Sequence, residues 1–181
     1  ATAADSESGF FSITASVLAE GSHDITATAK DVAGNTSGHS AILKVVVDTI
    51  APAAPTLTGL GLTNSPTVEL TGTAEPGSTV QIYDETNGLA QPTVDQFGSF
   101  SITVPNLTDG SHSITATATD GADNVSVITT HEVEVDTTVP DAPTLTGPSL
   151  TKSPTPTLTA TAEPGSTVDF YDGGIYLGTT T

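Results

Sequence analysis

Cysteine, methionine and tryptophan are absent from these 181 residues, and only three side chains are basic against 21 acidic ones, a formal net charge of −18. Without cysteine no disulfide framework can stabilise the fold. The lack of a basic face argues against nucleic-acid binding and against attraction to an anionic lipid surface. No apolar run reaches about 18 residues, so no spanning helix and no membrane insertion is expected. A basic segment followed by an apolar one is also missing, so any export signal is expected outside this sequence. Excess acidity keeps a long polymer soluble and self-repelling. It also supplies oxygen-rich loops in which metal ions could stand in for the missing disulfides.

What the chain does have is a repeat. Residues 9–30 (GFFSITASVLAEGSHDITATAK) align with 98–119 (GSFSITVPNLTDGSHSITATAT) at an offset of 89. Residues 48–84, which contain DTIAP and LTGTAEPGSTVQIYD, align with 136–172, which contain DTTVP and LTATAEPGSTVDFYD, at an offset of 88. The spacing predicts one complete module at 48–135, the C-terminal half of a module at 1–47 and the N-terminal half of another at 136–181.

Within 48–135, short runs rich in Thr, Val and Ile alternate in polarity between Pro, Gly, Asn and Asp, the pattern of an all-β fold. Seven strands are predicted: A at 56–60, B at 67–73, C at 79–83, a fourth at 89–94, E at 99–104, F at 113–119 and G at 125–135. In strand F, Ile114, Ala116 and Ala118 fall on one face and threonines on the other. Val68, Leu70, Val80, Ile82, Phe100, Ile102, Ile114 and Val133 are the expected core. Seven short strands in about 90 residues suit an immunoglobulin-like β-sandwich, repeated in tandem along an extended array, without the Cys, Trp, Cys spacing of antibody domains.

The succession TGTAEPGSTVQIYD, DQFGSF, LTDGSHSITATATDGADN and EVDTTVPDAP resembles the bacterial Ig-like repeats of giant surface adhesins exported by type I secretion, including biofilm-associated proteins. The resemblance covers the whole chain. It implies an extracellular rod on a bacterial cell surface, a part in adhesion or biofilm cohesion, contact with a host or biofilm ligand through other regions, and calcium held between modules. One loop departs from the pattern: the first copy reads DVAGN (31–35) and the second DGADN (120–124), so Asp123 replaces Gly34. Aspartate tolerates positive φ better than most residues, so the loop shape is expected to survive.

In such a sandwich the B to C, fourth-strand to E and F to G loops gather at the end where the chain arrives, and the E to F loop lies at the far end. That geometry assembles Asp48, Glu75, Asp95, Asp120, Asp123 and Asn124 at the first junction, with Glu20 facing them from the preceding unit. Calcium takes six to eight oxygen ligands from carboxylates, amides and carbonyls. A junctional, structural Ca2+ is therefore one expectation, with an affinity of roughly 10⁻⁴–10⁻³ M. The alternative is that these residues simply form turns, since no compact D-x-D-x-D-G loop is present. The second junction offers Asp109, Asp136, Asp141 and Glu163 but lacks the next F to G loop, and a full site is not expected there.

The linkers DTIAPAAP and DTTVPDAP carry Pro52, Pro55, Pro140 and Pro143. Each proline fixes its own φ and extends the residue before it, so the linkers are short, semi-rigid spacers. Strands rising 3.3 Å per residue make each module advance the array by roughly 40 Å. His23 and His112 share a GSH context at the start of strand F, where sandwiches often place a corner tyrosine, and a corner role is expected for them. Ser111, His112 and Asp109 are sequence neighbours, but no nucleophile elbow or oxyanion hole accompanies them, so the chain is not expected to be an enzyme. The N-x-[ST] matches at Asn35, Asn106 and Asn124 carry little information.

Two functional classes follow. One is a structural spacer that contacts neighbouring modules of its own chain and projects a distal domain. The other is a direct binder of glycan or of further copies, disfavoured by the lack of tryptophan and by only three tyrosines, Tyr83, Tyr171 and Tyr176. The outer segments together match about one module, so either they belong to a longer array or copies complete each other head to tail, as an open filament would require.

Overall fold

The computed structural model describes residues 9–181, so residues 1–8 of the first expected unit lie outside the described part. Among the described residues thirteen strands are found: β1 (Gly21–Ile25), β2 (Leu43–Val47), β3 (Leu62–Thr63), β4 (Val68–Thr73), β5 (Thr79–Asp84), β6 (Asn87–Ala90), β7 (Ser99–Val104), β8 (Gly110–Thr119), β9 (Thr129–Val135), β10 (Thr144–Thr146), β11 (Thr159–Thr161), β12 (Val168–Asp172) and β13 (Ile175–Thr180). Among the described residues no helix is long and apolar enough to cross a membrane.

The central module is a two-sheet sandwich. One sheet has the order β3-β9-β8-β5-β6 and the other pairs β4 with β7. Alternation decides which side of each strand faces the other sheet: in β7, Phe100, Ile102 and Val104 are buried while Ser99, Ser101 and Thr103 are exposed. The opposite sheet replies with Val80 and Ile82 from β5, Ile114, Ala116 and Ala118 from β8, and Val133 and Val135 from β9, and these join Val68, Leu70, Leu57 and Leu107 in one cluster. All eight expected core residues lie in it. Burying a side chain of the size of Leu70 or Ile82 stabilises the fold by about 1.5–3 kcal/mol.

Strand E runs as expected, B starts and C ends one residue later, F begins three residues early, and the other three differ more. Expected strand A is divided between the sheets. Thr56 and Thr58 pair with Thr73 and Thr71 (N···O 2.8 Å each), and then β3 joins β9 in parallel, Leu62 opposite Glu134. The chain changes sheets over Gly59, where a Cβ would lie 2.4 Å from Leu70 Cδ2 and 3.0 Å from Glu69 O. The fourth strand, expected at 89–94, is β6 at Asn87–Ala90. It stops just short of Pro92, which has no N–H for a ladder. Strand G, expected from 125, starts as β9 at Thr129, preceded by an isolated Thr119–Val125 bridge. Buried Ser126 interrupts the ladder there, its Oγ accepting from Ala118 N at 2.9 Å.

The outer units repeat parts of this plan. β1 pairs with β2 in the register of β8 with β9, His23 opposite Val45 as His112 is opposite Val133. Ser37 Oγ accepts from Ala29 N at 2.9 Å, as Ser126 does from Ala118. β10 pairs with β11 and β12 with β13.

Candidate functional site at the module junctions

The F to G loop is closed by one carboxylate. Asp120 Oδ1 accepts from Ala122 N at 2.8 Å and Asn124 N at 2.9 Å, while Oδ2 accepts from Asn124 Nδ2 at 2.9 Å. Asn124 Nδ2 also donates to the Asp48 carbonyl at 3.0 Å, tying the loop to the linker 76 residues earlier. Hydrogen bonds to the ionised form, chiefly from the Asn124 side chain, hold the Asp120 carboxyl below its ordinary range. The first copy is built alike, with Asp31 accepting from Asn35 N and Nδ2 at 2.8 Å each. Gly34 has φ +96° and Asp123 has φ +67°, so the aspartate takes up the same left-handed turn and the loop shape is kept.

The linkers are held from the other side. Glu20 accepts from Thr49 N at 3.0 Å and from the Thr49 hydroxyl. At the next linker Asp109 Oδ1 accepts from Thr137 N at 3.1 Å and Thr137 Oγ1 at 2.6 Å, and its Oδ2 accepts from Thr138 Oγ1 at 3.0 Å. The Thr137 hydroxyl is the largest cause that lowers the pKa of Asp109. Both clamps therefore join the E to F corner of one unit to the Thr of the following Asp-Thr-x-x-Pro linker. Sequence reasoning counted Glu20 and Asp109 as possible metal ligands and passed over Thr49, Thr137 and Thr138. The signal was available, because a threonine follows the linker aspartate at both Asp48 and Asp136.

Residues 51–136 match the family described as Bacterial Ig domain, and residues 1–49 match the family described as Bacterial Ig-like domain. The central module is of bacterial Ig type. Exoglucanase A of Cellulomonas fimi is 42% identical over 109 residues, a match covering 54% of this chain and 12% of that protein, so the chain spans only a small part of this curated relative's length. Among solved structures, the PKD domain of an M14-like peptidase from a Thermoplasmatales archaeon is similar over 49% of this chain and 98% of its own, at 19% identity and TM-score 0.43. The fibronectin(III)-like modules of Clostridium thermocellum CbhA are similar over 65% of this chain and 64% of theirs, at 21% identity and TM-score 0.41.

In the Ig-type module the remaining expected ligands serve turns. Asp95 Oδ1 accepts from Phe97 N and Ser99 N at 2.8 Å each, Asp48 Oδ1 from Ile50 N at 3.1 Å, and the Glu75 carbonyl from Ser78 N at 3.0 Å. Asp48 and Asn124 do meet, but through the Asp48 backbone carbonyl. Among the described residues no three His, Cys, Asp or Glu side chains gather in a way that could hold a metal ion. Oxygens of Glu20, Asp95 and Asp120 are already acceptors for the chain's own donors. In this arrangement Glu20, Asp48, Asp95, Asp120 and Asn124 serve as turn and linker caps.

The corner histidine has the expected role. His112 Nε2 lies 2.9 Å from Thr108 O and Nδ1 lies 2.8 Å from Asp84 Oδ2. Both partners are acceptors, so the ring satisfies both as the imidazolium. Its pKa is raised, first by the Thr108 carbonyl and then by Asp84 and Glu85, against a desolvation that lowers it. His23 Nε2 makes the same corner contact with Ala19 O at 2.8 Å.

Proposed function

We propose that this chain is a structural spacer, in which Ig-type modules joined by short clamped linkers form a stiff acidic rod outside a bacterial cell and project a domain located elsewhere in the protein. The supporting observation is the recurrence of one joint. A corner carboxylate, Glu20 and then Asp109, accepts from the amide and hydroxyl of the linker threonine, Thr49 and then Thr137. A contact that returns with the repeat belongs to the array. Proline in each linker and net charge of one sign act in the same direction, since both favour extension.

In the form we favour, the rod belongs to a surface adhesin and supports adhesion or biofilm formation, with the ligand met by other regions. Similarity to a short part of Exoglucanase A favours a second form, in which the rod separates the domains of an extracellular enzyme. The module's task is non-catalytic in both.

Small-angle scattering on the chain and on the E20A/D109A variant, at dilutions where each is monomeric, tests the joint. The variant is expected to sample bent shapes, with a broader distance distribution. Identical distributions would overturn the clamped-rod reading.

A further inference from the structure

The corner that holds the second linker contains an acid–imidazole pair whose protonation bears on the clamp. Leu107 is buried and its N–H donates to the Pro66 carbonyl at 2.9 Å, which pins the chain just before the corner. β8 pins it just after, from Gly110 onward. Between these points Thr108 and Asp109 are exposed. The Thr108 carbonyl belongs to the peptide that leads into Asp109, and the His112 ring holds it at 2.9 Å through Nε2. Asp109 in turn accepts from Thr137 and Thr138. The imidazole is thus one peptide unit away from the linker clamp.

As the imidazolium, His112 donates to Thr108 and to Asp84 at once. When it loses a proton it keeps a single N–H, and the two acceptors compete for it. Asp84 wins for two reasons. A hydrogen bond to a carboxylate is roughly twice as strong as one to a neutral carbonyl. The Asp84 side chain is also only 17% exposed and its Oδ1 has no partner, so losing the Nδ1 donor would leave the whole carboxylate unsatisfied. Thr108 is exposed, and water can take over its carbonyl. The neutral ring therefore turns an Nε2 lone pair toward the Thr108 oxygen, a repulsive contact at 2.9 Å. We propose that His112 is a proton-operated latch on the joint: protonated, it closes the corner and presents Asp109 to the linker; neutral, it releases Thr108 and loosens the clamp, so the rod bends more readily as pH rises. The latch rests on the clamped-rod reading and adds a means of regulating it. Asp84 faces the ring from β5 and Glu85 from the turn after it, β9 presents Val133, and Asp109 lies in the ring's own corner. Asp84 and Glu85 favour the protonated ring, so release falls on the alkaline side of the ordinary histidine value of about 6.5.

Solution NMR and small-angle scattering on the full chain, from about pH 6 to about pH 9 and at raised salt to screen repulsion between units, test the latch. The Thr137 methyl resonance is expected to shift with the same midpoint as the His112 ring, and the distance distribution to broaden across that window. D84N keeps the ring but gives it a neutral partner whose amide can donate to Nδ1. The ring then holds Thr108 at both ends of the range, and the Thr137 shift is lost. H112Q should lose it too, while His23, His39 and His131 go on titrating. A Thr137 methyl that stays in place while the His112 ring titrates, or one that still shifts in D84N or H112Q, would overturn the latch. D109A separates the latch from the joint, since it should hold the Thr137 methyl and the distance distribution near their high-pH state throughout. If D109A changes both and pH changes neither, the latch alone fails. If D109A changes neither, the clamped rod fails with it.

Discussion

Asp120 and Gly98 show how single residues set the loops of this module. Asp120 satisfies two loop amides and one side-chain amide, so D120A is expected to lower the melting temperature and to speed hydrogen exchange at Ala122 and Asn124. Its folded pKa is depressed, so its contribution is full above the ordinary carboxylate value and is lost as pH falls through the folded one. Gly98 has φ +83°, and a Cβ there would lie 2.4 Å from Ala74 O. G98A should cost about 1–3 kcal/mol, read from chemical denaturation, and a smaller loss would mean that the turn relaxes. Gly98 follows Asp95, and Asp95 caps that turn through Phe97 N and Ser99 N. The D-x-x-G spacing made a turn legible in the sequence. That Asp95 Oδ1 caps the turn was not, because a cap and a metal ligand call for the same residue type.

The E to F corner works as one element. His112 joins Thr108 to Asp84 at the end of β5, and the intervening Asp109 holds the next linker. The groups facing the imidazole are Asp84 on β5 and Glu85 in the turn after it, while β9 opposes His112 with apolar Val133. Since the folded pKa is raised, the stabilisation is complete below the unfolded value of about 6.5 and is lost as pH rises through the folded value. The module should therefore melt at a higher temperature at pH 6 than at pH 8 through this group, and H112Q should remove most of that difference. A slope that persists in H112Q would assign it elsewhere. Buried Asp84 Oδ1 has no hydrogen-bond partner, so H112A, which strips Oδ2 as well, should be less stable than D84N/H112Q. Strand E was readable to the residue because its alternation is unbroken between turn signals. Strand A was not, because its division rests on Gly59 passing over Leu70, a contact between segments that no local pattern records.

Across the whole chain, charge and clamps act together on the joints. Calcium at about 1 mM, within the range that extracellular modules bind, is expected to leave the melting temperature and the scattering profile of the monomer unchanged, because Glu20, Asp95 and Asp120 already accept hydrogen bonds from the chain's own donors. A clear rise in melting temperature would show that the acidic residues regroup around the ion. The sequence by itself determined the repeat, the all-β class, the core positions and the corner role of the histidines. Those depend on alternation and on recurrence at offsets of 88 and 89, both of which are local or self-referential signals. Only the tertiary structure decided which hydrogen bonds the acids accept. A carboxylate placed by topology near a junction can bind an ion, cap a turn or hold a threonine. The choice depends on distances of 2.6–3.1 Å between Asp109 and residues 28 or 29 positions away, which come into being only when the sandwich closes.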